Sequence, residues 1–402
     1  MPINNYFRGS TKDYAKWFEV GRTVIEGGDI YAPRGDGTFQ FMYPPTAAVL
    51  FAIPSYLGEL PLIVVLVALY SIAWIVSLLL SVFLATGTFG RDRPLLYLLP
   101  AVCCLPYVVD NFLLGQPNLL LLALMLGAFV CLRTGKQWSA GALVALASAI
   151  KAFPVLAVGY LIYRRHWKAT VSTVLFLILL LVVVPSPFRG IDRNLEDLQI
   201  WSKGMLRYEE DSISQREQRG FSWANHSLVA VAHRLLRPVN AHRKRDEVLF
   251  VNVANVDFKY VTLVIILAGL GLGLFYIGCM PPGSQRTNWS DALEYAMLLL
   301  LILMFTPLAF TYFFAWLLYP LVVVLNFVLS AAPRSPQRIR GWLWFWASVV
   351  LLAFTIPFPA FRPLQAAGST LLACLLLFVG LGWKLRAAGR LQLVRAPEKR
   401  TA

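Results

Sequence analysis

Residues 60–85 read LPLIVVLVALYSIAWIVSLLLSVFLA, an apolar stretch with no charged side chain. A helix needs ~20 apolar residues to cross a hydrocarbon core, and this stretch exceeds that. Three more uncharged runs follow, at Ala169–Phe188, Val261–Met280 and Tyr295–Ala332. Backbone in lipid must satisfy its own hydrogen bonds, so these runs are expected to be helices. Of 402 residues 58% are hydrophobic and 14% charged, well below the roughly one-quarter charged residues of a soluble domain. The apolar residues come in blocks rather than stripes, so one water-soluble surface cannot bury them all. The sequence therefore predicts an all-α, polytopic membrane protein.

Net charge is +15, but its distribution argues against nucleic acid as a partner. Basic residues collect in short loops: Arg91 and Arg93; Arg133 and Lys136; Arg164, Arg165 and Lys168; Arg286; Arg334, Arg338 and Arg340; and the tail from Lys384 to Arg400. Two longer segments, 1–45 and 186–257, carry acids and bases in near balance. Positive charge marks the cytoplasmic side, which places the short loops and tail inside and the two long segments outside. About eleven crossings fit this pattern, near 61–86, 94–113, 118–132, 139–150, 152–163, 169–187, 259–279, 292–308, 311–330, 342–357 and 364–383. Residues 44–57 are apolar but short. Basic flanks on both sides of 139–163 require the chain to turn near Lys151–Pro154, where proline also interrupts a helix. The resulting plan is an outer segment 1–45, a membrane bundle 46–188, an extracytoplasmic loop 189–257, a second bundle 258–383 and a basic tail 384–402. A multi-pass protein of the cell membrane is expected, with membrane lipids around it.

Several enzyme classes leave no trace. The five cysteines sit in apolar runs without C-x-x-C spacing, and the four histidines form no metal motif. There is no phosphate-binding glycine loop, so no metal and no cofactor is expected.

Polar groups at membrane depth or beside it are the informative ones. Asp13 precedes Tyr14, Trp17, Phe18, Val20, Gly21, Val24 and Ile25, whose spacing predicts an amphipathic helix on the membrane face. Asp13 there is either a general base or a solvated surface acid; Asp29 and Asp36 are the next acids to consider as the base. Asp110–Asn118 lies between two apolar runs, and its Gln116 and Asn118 suit sugar hydroxyls, or form a plain turn. Lys151 in Ala147–Pro154 suits a phosphate, or snorkels to an interface. Trp223–Leu228 and Phe305–Tyr312 suit substrate contacts or an aromatic belt.

The ordered set of motifs resembles glycosyltransferase family 87, the polyprenol-phosphate-mannose-dependent mannosyltransferases and their relatives. The acid, the aromatic-rich helix, Gly27-Gly28-Asp29-Ile30-Tyr31 and Tyr43-Pro44-Pro45 are similar to its early pattern. Gly115–Leu121, Ala140-Gly141 with Lys151–Pro154, Arg164–Trp167 and Asn225–Leu228 resemble later ones. The chain departs from the family where Thr306–Tyr312 stands for Ser-Pro-x-x-Trp-x-His, leaving tyrosine at 312 in place of a histidine. The resemblance implies a GT-C fold and transfer of a sugar, mannose first among candidates, from a polyprenyl-phosphate donor to a glycan or glycolipid hydroxyl. It makes Asp13 the base of an inverting displacement. It makes Lys151, then Arg189, the cation for the leaving phosphate. Tyr43, Gln116, Asn118, Asn225, His226 and Tyr312 become further substrate-binding candidates. A transporter or lipid flippase is the alternative class, and a non-catalytic scaffold a third. Family members also carry a membrane helix before the acid. The natural reading frame is accordingly expected to begin upstream of Met1 and encode about 20 further apolar residues.

Overall fold

The computed structural model describes residues 2–32, 41–89, 93–206, 208–209, 217–244, 246–356 and 358–395. No β-strand occurs among them. Each of the eleven expected spans falls largely on helix among the described residues, although the helices expected at 292–308 and 342–357 end at Phe305 and Ala353, and the protein is an all-α polytopic membrane protein. Seven helices among the described residues are long and apolar enough to cross a membrane: Glu59–Thr86, Leu95–Leu114, Trp167–Arg189, Phe258–Cys279, Asn288–Phe305, Thr311–Ser330 and Ser369–Ala388. The expected spans at 118–132, 139–150 and 152–163 are the shorter apolar helices Asn118–Arg133, Gln137–Ile150 and Phe153–Tyr163. The expected 342–357 helix begins earlier, at Pro336, so its first turns carry Arg338 and Arg340. The last helix continues to Arg395, past the expected end at 383. Arg91, Asp92 and the tail beyond 395 lie outside the described residues.

Two compact units divide the chain: Met1–Leu80 with Leu105–Arg216, and Ser81–Cys104 with Glu217–Ala402. The expected loop 189–257 is therefore shared between them.

In the first unit the Asp13–Ile25 helix buries Tyr14, Trp17, Val20, Gly21 and Val24 of the apolar stripe read from the sequence, while Phe18 is half-buried and Ile25 exposed. That stripe packs on protein rather than lying open on a membrane face. An added Cβ at Gly21 would meet the Ser55 hydroxyl of the Pro45–Ser55 helix, so the two helices touch backbone to side chain. At 11 residues the Pro45–Ser55 helix is too short to cross. Val20, Val24, Ile30, Tyr31, Ala48, Val49, Ala52 and Trp201 form the core beside it. Gly141 brings the Gln137–Ile150 and Trp167–Ile178 helices together. Ser172 Oγ donates to the Trp138 carbonyl at 2.7 Å, and Thr173 Oγ1 to that of Gly141 at 3.2 Å. The starts of the two helices thus lie side by side, and the chain between them reverses. The basic flanks at 133–136 and 164–168 share one end of the unit, as the charge pattern requires.

Near its end the 167–189 span makes one π-turn, Leu179–Val183, which aims carbonyls away from the helix. Thr46 Oγ1 donates to the Leu180 carbonyl at 2.7 Å, and Asn194 Nδ2 to those of Leu181 and Val182 at 2.9 and 3.2 Å.

In the second unit the Asn288–Phe305 and Thr311–Ser330 helices are mostly buried. Arg93 Nη1 donates to Asn326 Oδ1 at 3.2 Å, while Asn326 Nδ2 donates to the Ala85 carbonyl at 3.0 Å. The Phe258–Cys279 helix, by contrast, exposes Leu263, Ile266, Leu267, Leu270 and Leu274. An apolar face of that size suits contact with lipid.

An added methyl at Gly141 would meet the Ala169 carbonyl, the Ser172 Cβ and the Thr173 amide. Gly141→Ala should cost about 1–3 kcal/mol by overpacking and lower the apparent melting temperature in detergent. Gly273→Ala, in open space on the lipid-facing helix, should leave that temperature unchanged or raised.

Candidate functional site

The first unit's site begins with a turn. Gly115 has φ of +72°, and a Cβ there would meet the Tyr14 ring at 3.0 Å, so glycine suits both the backbone and the packing. Its carbonyl accepts from Trp17 Nε1 at 2.7 Å and from the Tyr70 hydroxyl at 3.3 Å. The Tyr14 hydroxyl donates to the Phe112 carbonyl at 2.9 Å, and burial raises its pKa, keeping it a neutral donor. The 13–25 helix is thereby fastened to the 112–116 turn, which sets Asp13, the first residue of that helix, against Gln116.

From there the contacts are continuous. Gln116 Nε2 donates to Asp13 Oδ2 at 2.7 Å. Gln116 Oε1 accepts from the Tyr43 hydroxyl at 2.8 Å and from Lys151 Nζ at 3.3 Å. Lys151 Nζ also lies 3.4 Å from Asn118 Oδ1 and 5.2 Å from the Tyr43 ring centroid. Lys16 Nζ pairs with Asp13 Oδ1 at 3.2 Å. Lys151 is where the 137–150 helix stops, in an extended conformation with φ of −153° and ψ of 120°. The break expected at Lys151–Pro154 therefore delivers an ammonium to the site. These two described hydrogen bonds, at 3.3 and 3.4 Å, are long for a charged donor. Five of the nine residues expected in the site, Asp13, Tyr43, Gln116, Asn118 and Lys151, form this one cluster.

Arg189 belongs to a different arrangement. Its guanidinium lies 2.7 and 2.8 Å from the Asp197 carboxylate, and Nη1 donates to the Gly28 carbonyl at 2.6 Å. The pair is buried; burial raises the Asp197 pKa, and Arg189 pulls it back down. Arg189, expected as a second cation for the leaving phosphate, holds the Gly27–Gly28 turn to the 191–205 helix through these contacts. Asp29 likewise serves locally, accepting from the Tyr31 amide at 2.9 Å. Asp36 lies outside the described residues.

In the second unit the two remaining motifs meet. Asn225 is fully buried: its Nδ2 donates to the Gly220 and Pro307 carbonyls at 2.8 and 2.9 Å, and its Oδ1 accepts from the Ala309 amide at 3.0 Å. The His226 amide donates to the Ala309 carbonyl at 2.8 Å. Asn225 thus brackets the 307–309 turn. His226 is 2% exposed, sits edge-on to Phe314 at 5.5 Å, and neither ring nitrogen has a hydrogen-bond partner among the described residues. Tyr312 is buried among Phe310 and Phe313.

The sequence reading missed Arg234. It is fully buried, donating to the carbonyls of Ala366, Ser222 and Asn225 at 2.7, 2.7 and 2.8 Å. Burial lowers its pKa to about 9. The signal was present: Ala230, Val231 and Arg234 share one face of the Leu228–Leu236 helix, putting a cation on an apolar stripe.

Burial, aided by the charge of Arg234, lowers the His226 pKa to about 3. An unfolded histidine titrates near 6.5. Because the folded value is the lower one, this contribution to stability is present above about pH 6.5 and is lost as pH falls toward about 3. The loss attributable to His226 is roughly 2 kcal/mol by pH 5. Between pH 7.5 and 5, wild-type protein in detergent should lose more melting temperature than His226→Gln.

The model of glycosyltransferase family 87 matches residues 41–307, more than half of the chain. Tyr43, Gln116, Asn118, Lys151, Arg189, Asn225 and His226 fall inside the match; Asp13 and Tyr312 fall outside it. The chain is 35% identical over 158 residues to the polyprenol-phosphate-mannose-dependent alpha-(1-2)-phosphatidylinositol pentamannoside mannosyltransferase of Mycobacterium tuberculosis, covering 37% of this chain and 35% of that protein. It is 32% identical over 170 residues to the polyprenol-phosphate-mannose-dependent alpha-(1-2)-phosphatidylinositol mannoside mannosyltransferase of Mycolicibacterium smegmatis, covering 39% and 38%. The chain spans little more than a third of the length of these curated relatives. No solved structure matches the chain.

Proposed function

The chain belongs to glycosyltransferase family 87, and we propose that it is a membrane glycosyltransferase that moves mannose from a polyprenyl-phosphate donor to a glycolipid hydroxyl at the outer face of the cell membrane. The observation that carries this reading is the cluster of Asp13, Gln116 and Lys151, an acid and a cation joined through one amide. The names of the relatives supply the donor class and a phosphatidylinositol mannoside as the acceptor class.

The acceptor hydroxyl oxygen attacks the anomeric carbon, and the bond from that carbon to the phosphate oxygen breaks on the opposite side. The carbon inverts. The electron pair of the broken bond leaves on polyprenyl phosphate, and the hydroxyl proton passes to Asp13. A placed base of this kind contributes roughly 10²–10⁴ in rate. Asp13 is half-buried, fastened on one oxygen by Gln116 and on the other by Lys16, so its carboxylate is oriented before substrate arrives. Lys151 neutralises the leaving phosphate. Neither metal nor cofactor enters this scheme.

Asp13→Asn keeps the shape and removes the base. With purified protein and radiolabelled polyprenyl-phosphate mannose, turnover should fall at least about 100-fold while expression is unchanged. More than about a tenth of wild-type turnover remaining would exclude Asp13 as the base.

Lys151→Met should raise the donor KM or lower kcat by about ten- to a hundredfold with the acceptor KM little changed. If neither donor parameter moves, the lysine does not meet the phosphate.

A further inference from the structure

We propose that Gln116 is a positioning residue for Asp13: its side chain lies as a polarised amide between that carboxylate and Lys151, orienting Asp13 and keeping the two charges apart. The inference rests on Asp13 being the base of the transfer reaction. It differs from the expectation that Gln116 binds a sugar hydroxyl.

An amide has one accepting end and one donating end. Lys151 can only donate, and its Nζ lies 3.3 Å from one end of the Gln116 side chain. Ionised Asp13 can only accept, and its Oδ2 lies 2.7 Å from the other. The neighbours therefore dictate the orientation of the amide; flipped, it would set N–H against ammonium and carbonyl against carboxylate. The Tyr43 hydroxyl at 2.8 Å is the second donor to the same oxygen, so both lone pairs of Oε1 are engaged. Gln116 is 3% exposed, which leaves a substrate hydroxyl little access to it.

Two effects follow. An N–H aimed at Asp13 Oδ2 at 2.7 Å fixes where that carboxylate points. A neutral amide between the charges also prevents Lys151 from collapsing onto Asp13 as a direct ion pair. Such a pair would quench the base and withhold the ammonium from a phosphate. The charged and titratable groups that the described contacts place around Asp13 are Lys16 on its own helix and, through Gln116, Tyr43 and Lys151 from two other segments.

Two near-isosteric variants test the idea by different readouts in the donor-transfer assay. Glu at 116, held ionised by Lys151, has no proton to offer Asp13, so the proton that two adjacent carboxylates share resides on Asp13. Gln116→Glu should therefore move the acid limb of the pH–kcat profile up by about one unit or more, with activity recovered at higher pH. Gln116→Met removes both ends of the amide. It should lower kcat at neutral pH about tenfold or more while the KM for donor and for acceptor changes less than about threefold. An unmoved acid limb in Gln116→Glu, or a Gln116→Met defect confined to KM as a sugar contact would give, overturns the proposal. If both variants fail to fold, as read by melting in detergent, Gln116 is a structural residue only and the proposal is again overturned. Asp13→Asn in the same assay separates the two levels. If that variant stays active, the base reading fails. If it is inactive while Gln116→Glu has a wild-type profile, only the role given to Gln116 fails.

Discussion

The carbonyl oxygen of Gly115 accepts the Trp17 indole at 2.7 Å and the Tyr70 hydroxyl at 3.3 Å, tying together three segments that are far apart in sequence. The Leu95–Leu114 helix has just ended there, so this carbonyl has no partner within the helix. Gly115 is buried, and leaving its carbonyl unpaired there would cost about 1–3 kcal/mol. The indole that satisfies it belongs to the helix that begins with Asp13. Trp17 is fixed further by stacking on Phe51 at 4.7 Å and by edge contact with Tyr43 at 4.8 Å. The need to satisfy one backbone oxygen thus sets where the acid stands, which tyrosine stands beside it, and which glutamine it meets.

The same constraint recurs wherever regular helix gives way. At the Leu179–Val183 turn, Thr46 and Asn194 take up the released carbonyls. At 220–226 a buried guanidinium, Arg234, collects the carbonyls of Ser222 and Asn225 together with that of Ala366. Near 307–309 it is the Asn225 side chain. Polar residues in this protein therefore divide by what they satisfy. Arg189, Asn194, Asn225 and Arg234 complete the protein's own hydrogen bonds. Asp13 and Lys151 stand in a cluster whose charged ends point toward each other across an amide.

The division explains what the sequence made legible. Uncharged runs such as 60–85 exposed the helices, and the placement of Arg133, Lys136, Arg164 and Arg165 exposed the reversal at Lys151, because membrane insertion writes both rules directly into composition. The stripe from Tyr14 to Val24 gave the first helix but not its surroundings: periodicity says that a face is covered, not whether lipid or protein covers it, and Gly21 against Ser55 makes it protein. Spacing along the chain likewise placed Arg189 and Asn225 among polar candidates without showing that Asp197 and the 307–309 turn already engage them. Arg234 was passed over because a cation on a short helix in a long polar loop reads as solvated until its neighbours are known.

Asp13 precedes the part of the chain that the family model matches, so the match alone says nothing of its role. Its link to the family runs through geometry. Gln116 lies inside the matched region, and its amide can satisfy Lys151 and Tyr43 only by presenting N–H groups outward. Among the described residues the acceptor that meets them is the Asp13 carboxylate, with Lys16 as its other partner. A buried amide polarised by an ammonium on one side favours an anion on the other. A carboxylate at that position is therefore the electrostatic complement of the residues that the family match covers.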